Sequence, residues 1–227
     1  LTALRKPASL PNCTAGDIQQ GEDAMKFYDS IGPNPHVVRM AMAEKGISLP
    51  TETIDIMTGA NRSGDYIKKV PGGGTPALEL DDGRIISEIT VIAEYLEEIH
   101  PTPAIIGTTA EERAETRKWV RIIDLGYCET MANGFRATEG RPMFEPRFPI
   151  VSQAAGAELK AIAAKKLQWL DALMSGDFVC GDRFTLADIL LFGFIEFGAQ
   201  VGQPLPDGLT WLPAWHKRVA ARPSAAA

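Results

Sequence analysis

The chain has 227 residues, 45% of them hydrophobic and 23% charged, with a formal net charge of −6. That length holds one large domain or two small ones with a core that needs no covalent staples, and basic residues scattered singly among acids argue against a nucleic-acid partner. The cysteines Cys13, Cys128 and Cys180 lie far apart and form no CxxC, which argues against a disulfide framework and a zinc site and suits a reducing cytoplasm.

Residues 1–24 hold Pro, Gly, Thr, Gln and charges without periodicity. They lack the apolar stretch of a secretory signal and are expected to be a disordered tail, or sequence ahead of a start at Met25. Residues 26–30 (KFYDS) read as a short strand. Gly32-Pro33-Asn34-Pro35 then turns the chain, with Asn34 as N-cap and Pro35 at the first helical position. Val37, Val38, Met40, Ala41 and Ala43 give this helix a buried stripe, and Gly46 stops it. Residues 51–56 (TETIDI) form a second strand, parallel to the first. The stretch 57–75 is irregular apart from a short helix near 65–69, and a loop this long inside a compact domain is usually functional. Strands at 77–80 and 84–86 are joined by Asp81-Asp82-Gly83, a hairpin signal. Residues 88–99 make a helix with an apolar face at Ile89, Ile92, Tyr95, Leu96 and Ile99, ended by His100-Pro101-Thr102-Pro103.

From 108 onward the pattern is helical only. Thr109 to Glu112 is a capping box opening a long helix through Trp119, Ile122 and Leu125. The stretch 134–149 interrupts the pattern, and further helices follow at 153–175, 185–200 and 212–221. Thr185 to Asp188 is a second capping box; Asp188→Ala is expected to cost about 0.5–2 kcal/mol. Nowhere does an apolar run approach the roughly 18–20 residues of a membrane span. Mixed elements followed by helices imply an α/β domain over 25–99, a linker over 100–107 and an all-α domain over 108–224.

Four segments, SIGPNPHVVRMAMAEKGI, GGGTPALELDDGRIISEITVIAEYLEE, CGDRFTLADILLF and LPAWHKRVAARPS, occur in the order and spacing of a known family. Over about 26–224 the chain resembles the glutathione transferases, and its PNP start is most similar to bacterial and fungal members that lack a catalytic tyrosine. The resemblance implies a thioredoxin-like N-terminal domain and an all-α C-terminal bundle. It implies glutathione as co-substrate, no metal, a small hydrophobic electrophile as partner, a cytoplasmic homodimer, and a role in detoxification. Glutathione-dependent disulfide reduction and a non-catalytic binding module are the alternatives.

Site residues follow from the same resemblance. A cis bond before Pro76 would turn the Thr75 backbone toward glutathione, to pair with it as an added strand would. Glu88 at a helix start would receive the ligand's ammonium. The γ-glutamyl carboxylate would meet the N–H groups of Ile89 and Thr90, since Ile89 stands where the family usually has serine. Asn34 is the first choice to stabilise the thiolate and Ser30 the second; Gly32 and Pro35 are counted with the glutathione-binding residues, Gly32 offering only its backbone N–H where the family usually has Thr or Ser. A thiol of pKa near 8.5 is only a few per cent ionised at neutral pH. Lowering it to about 6.5 requires roughly 2.7 kcal/mol, which one charge-assisted hydrogen bond of about 1.5–3 kcal/mol and a helix N-terminus supply. Arg62 or Lys68 would meet the glycyl carboxylate. Tyr28 should face away from the site, and His36 should be an exposed bystander. Tyr127, Met131, Phe135 and Arg136, at helical spacing, are expected to line the second-substrate pocket.

Overall fold

The computed structural model describes residues 25–227; the expectations for residues 1–24 and Cys13 lie outside them. Strand β1 (Lys26–Asp29), helix α1 (Pro33–Glu44) and strand β2 (Thr51–Thr53) form the expected crossover, with β1 and β2 parallel and Phe27 opposite Thr51. β2 is shorter than the sequence suggests. After a 3-10 turn (Ala60–Arg62) and short helix α2 (Tyr66–Lys69), β3 (Ala77–Glu79) and β4 (Ile85–Ser87) pair antiparallel, and helix α3 (Ile89–Ile99) closes this half. The sheet order is β2-β1-β3-β4.

Strand alternation sends Phe27 and Tyr28 to opposite faces. Phe27 and Leu78 join Val38 and Met42 of α1 and Ile92 and Leu96 of α3 in one core. Tyr28 and Ala77 pack with Ile54, Tyr66 and Val70. In α1 it is Met42 that completes the buried stripe, whereas Ala43 is exposed.

The rest is helical. The Thr109 capping box opens α4 (Ala110–Ile123), which runs through a π-helical stretch (Asp124–Cys128) into α5 (Glu129–Ala137). Then come α6 (Arg141–Phe144), α7 (Gln153–Leu173), α8 (Leu186–Gln200), α9 (Trp211–Ala220) and a last 3-10 turn (Pro223–Ala226). α8 is the central helix, buried from Leu186 through Ile195. Its N3 residue Asp188 does more than cap. The fully buried carboxylate accepts the Thr185 N–H (2.9 Å), the Val179 N–H (2.8 Å) and the Trp215 Nε1–H (2.8 Å). Cys128 and Cys180 are buried, and burial pushes both thiols up, which makes them poor nucleophiles.

Three contacts fix one half on the other. Lys45 Nζ bonds to Glu97 Oε2 (2.5 Å) and to the Pro103 carbonyl (2.9 Å), while Glu97 accepts the N–H groups of Ile105 (3.1 Å) and Ile106 (2.9 Å). Arg222 and Ser224 bond to the Glu44 carboxylate. Gly193 lets α8 lie against the first turns of α1: a Cβ there would come within 2.9 Å of Val37 Cγ2 and 3.7 Å of the Pro33 carbonyl. Among the described residues no helix is long and apolar enough to cross a membrane.

Candidate functional site

Ser30 follows directly on β1 and is only 4% exposed. Its N–H donates to Asp29 Oδ1 (2.8 Å), and that carboxylate also holds Arg39 of α1 (2.6 Å). Its hydroxyl donates to the Ile31 carbonyl (3.1 Å) and lies 2.6 Å from Thr75 Oγ1. The start of α1 and the Thr75 segment are thereby brought together.

Helix α1 begins two residues earlier than its sequence suggests. Pro33 is its first residue and Gly32 its N-cap, at φ 114°, in the left-handed region glycine tolerates. Asn34 is therefore not the cap; it sits at the second helical position and Pro35 at the third. Both prolines lack an N–H. Asn34 thus carries the only backbone donor among the first three helical positions. Neither that N–H nor its side-chain amide has a partner among the described residues.

The Thr75–Pro76 bond is cis, and the N–H and C=O of Thr75 take no part in backbone hydrogen bonds among the described residues. The loop behind is firmly tied. Asn61 Nδ2 donates to the Gly73 carbonyl (2.6 Å), and the Tyr66 hydroxyl donates to the Gly74 carbonyl. Gly73 stands at φ 61°, and a Cβ on it would lie 2.8 Å from the Asn61 carbonyl. Asn61 is buried, with Oδ1 unpartnered among the described residues. Sequence reasoning missed Asn61, because nothing local marks a loop asparagine as buried.

Glu88 is the one described non-glycine residue at positive φ, 72°. Such strain persists only where its surroundings over-determine it, and it clusters at functional sites. The Glu88 side chain is exposed, and α3 starts with no side-chain cap, leaving its first N–H groups open. Ile89 packs between the two large cores, so here an anchor replaces the family's hydroxyl. Thr90 lines a groove of about 400 Å³ between α3 and α4, with Val91, Glu94, Arg117 and Asp124.

The remaining residues singled out in the sequence are placed as follows. Lys68 pairs with Asp65 (2.8 Å) on the exposed surface. The Arg62 guanidinium lies over the Phe148 ring, 5.3 Å from its centroid. Tyr127 and Met131 are core residues, 2% and 0% exposed, and do not form a pocket wall. Phe135 instead makes edge contacts with Phe197 (5.1 Å) and Phe144 (5.9 Å). Arg136 bonds to Asn133 Oδ1 (2.9 Å) and lies 5.9 Å from the Phe144 ring. The Tyr28 hydroxyl is held between Glu79 and Lys69; burial, then Glu79, raises its pKa. His36 is not a free bystander. Its Nε2 lies 3.2 Å from the Ala225 carbonyl, and burial holds its pKa below the usual histidine value.

Two family models match the chain: "Glutathione S-transferase, N-terminal domain" over residues 31–99 and "Glutathione S-transferase, C-terminal domain" over 136–223. The sequence is 30% identical over 216 residues to glutathione S-transferase 2 of Saccharomyces cerevisiae, covering 91% of this chain and 92% of that one. It is 29% identical to glutathione S-transferase GstA of Escherichia coli O157:H7, covering 88% and 94%. Its fold is similar to the crystal structure of a glutathione S-transferase domain-containing protein from Marinobacter aquaeolei VT8. That match has a TM-score of 0.81 and 35% identity, and covers 88% of this chain and 99% of that one.

Proposed function

This chain belongs to the glutathione S-transferase family, and from that premise we propose that it holds glutathione across Asn34, Thr75 and the start of α3 and transfers its sulfur to a small electrophile. The observation that carries the reading is the 2.6 Å contact between Ser30 and Thr75. It sets the unpaired donors at the start of α1 beside the unpaired backbone of Thr75, with β3 and β4 leading on to α3.

Each part of the tripeptide then has a chemical counterpart. The Thr75 N–H and C=O pair with the cysteinyl backbone. The N–H groups of Ile89 and Thr90, at the positive end of α3, take the γ-glutamyl carboxylate, and exposed Glu88 takes the ammonium. The glycyl end lies along the 57–75 loop. Asn34 donates to the sulfur, so the thiol proton leaves to solvent and the anion persists. Ser30, with its hydroxyl engaged by Ile31 and Thr75, positions the turn. The thiolate attacks the electrophilic carbon, the carbon–sulfur bond forms, and the leaving group departs with its electron pair. Proximity and desolvation do the rest. No cysteine lies in the 30–35 turn, which speaks against a mixed disulfide with the enzyme. We further place the enzyme in the cytoplasm as a two-fold homodimer meeting across the α3/α4 groove, where Val91 and Leu125 are each 51% exposed.

Retention on immobilised glutathione, followed by assays with an aryl halide and a small dialkyl disulfide, tests the reading. Retention and aryl halide turnover are expected. Retention without turnover of either compound would make the chain a binding module; turnover of the disulfide alone would make it a reductase.

A further inference from the structure

Four phenylalanines run in a line across the helical half. Phe197 of α8 meets Phe135 of α5 (5.1 Å), Phe135 meets Phe144 of α6 (5.9 Å), and Phe144 meets Phe148 just beyond it (5.7 Å). One end of the run touches the sheet half, and the other lies on the helix that packs against α1. Phe197 lies about one helical turn beyond Gly193, the residue on which the first turns of α1 rest. Phe148 lies under the Arg62 guanidinium, and the Arg62 stem packs on the loop at Gly73, where a Cβ would sit 3.4 Å from its Cγ. Gly73 is two residues from Thr75. The run therefore leads from α8, the helix that packs against α1, to the loop proposed to hold the rest of the tripeptide.

Phe135, Phe144 and Phe148 are only half-buried. Three cations attend them, one of which, Arg136, lies 5.9 Å from the Phe144 ring and also approaches a carboxylate. Arg62 lies over Phe148 (5.3 Å) and Arg147 lies near the Phe144 ring (6.0 Å). Neighbouring charges are neutralised: Arg141 pairs with Glu145, Lys160 with Glu139, and Arg136 approaches Glu129 at 3.7 Å. Arg62 and Arg147 have no carboxylate within ion-pair distance among the described residues, in a chain whose net charge is −6. Guanidinium groups without carboxylates beside partly open aromatic rings suit a flat ring that carries its own negative charge, held by stacking and a forked ion pair.

We propose that the Phe135–Phe144–Phe148 run, with Arg147 and Arg62, is the second-substrate wall and selects aromatic electrophiles bearing an anionic group such as a carboxylate. This rests on the glutathione-transferring reading above. In the reaction the sulfur–carbon bond forms at the activated ring carbon and the halide leaves with the bonding pair. The carboxylate stays unchanged, paired to the guanidinium.

The test compares 4-chloro-3-nitrobenzoate with its methyl ester, each enzymatic kcat/KM divided by its uncatalysed rate with glutathione. The wild type should favour the acid by about tenfold, the value of one modest charge-assisted hydrogen bond. Arg147→Gln should abolish the preference and Arg147→Lys should keep part of it, with melting temperatures confirming that both variants fold. Calorimetry with the unreactive pair 3-nitrobenzoate and methyl 3-nitrobenzoate provides a readout free of turnover. Binding of the acid that is stronger than that of the ester and lost in Arg147→Gln supports the wall. If neither aryl halide turns over while this binding persists, the transfer reading falls and the anion site stands. Equal normalised rates for acid and ester, unmoved by Arg147→Gln, overturn the site and leave the transfer reading intact. Equal binding of the two probes, or none, overturns it as well.

Discussion

Asn34 owes its proposed role to its neighbours. Pro33 and Pro35 remove two of the first three backbone donors of α1, so one residue supplies both a main-chain and a side-chain N–H to any anion placed there. Asn34→Ala should lower kcat/KM at least about tenfold and move the pKa of bound glutathione back toward about 8.5, read from the pH dependence of turnover and from thiolate absorbance. Ser30→Ala should leave that pKa nearer its wild-type value, because the Ser30 hydroxyl is engaged by Ile31 and Thr75. An unchanged thiol pKa in Asn34→Ala would remove the assignment. The residue type was legible in the sequence, since an amide between two prolines at a strand–helix turn stands out. Its exact place was not, because either proline suits a first helical position and only the backbone angle of Gly32 decides between them. Arg62 illustrates the other limit: its ring partner, Phe148, lies far along the chain, and no local pattern links the two.

The elements show the same division. The capping box at Thr185 was readable from spacing. The bonds from Val179 and Trp215 to Asp188 were not, since they come from 9 and 27 residues away. Their presence raises the expected cost of Asp188→Ala above the value for a cap alone. Three buried N–H groups lose their acceptor at about 1–3 kcal/mol each, so the loss should be about 3 kcal/mol or more by denaturant melting. A loss under about 1 kcal/mol would contradict the network. The π-helical stretch (Asp124–Cys128) was equally invisible. At the far end, burial works to raise the Glu44 pKa, but the bonds from Arg222 and Ser224 and the Arg222 charge together lower it. A carboxyl depressed in the folded state adds stability above its unfolded pKa, near 4.3, and loses that contribution as pH falls through the folded value. Glu44→Gln should therefore cost about 1–2 kcal/mol near pH 7, and the gap to wild type should close below about pH 4. A gap that is constant with pH would refute this account of the clamp.

At the scale of the molecule, the order of strands and helices was the most legible feature, because each element's periodicity is local and strand–helix–strand crossovers have few solutions. The meeting of the halves was not, because it depends on side chains whose partners cannot be inferred from pattern. Assembly is testable at the same scale. Val91→Lys, on the exposed rim of the α3/α4 groove, should shift the protein toward monomer in sedimentation while leaving the fold intact; an unchanged dimer would move the interface elsewhere. The Lys45–Glu97 pair has a practical corollary for anyone recombining such proteins. The charge at 97 belongs to the first ninety-nine residues, yet two of its donors, at 105 and 106, belong to what comes after. A chimera spliced between them would keep Lys45 but rest those two main-chain bonds on a foreign loop, and each bond lost to a shift of that loop would cost about 1–3 kcal/mol. A sound crossover point lies past Ile106, so that Glu97 keeps the loop that its own chain folds around it.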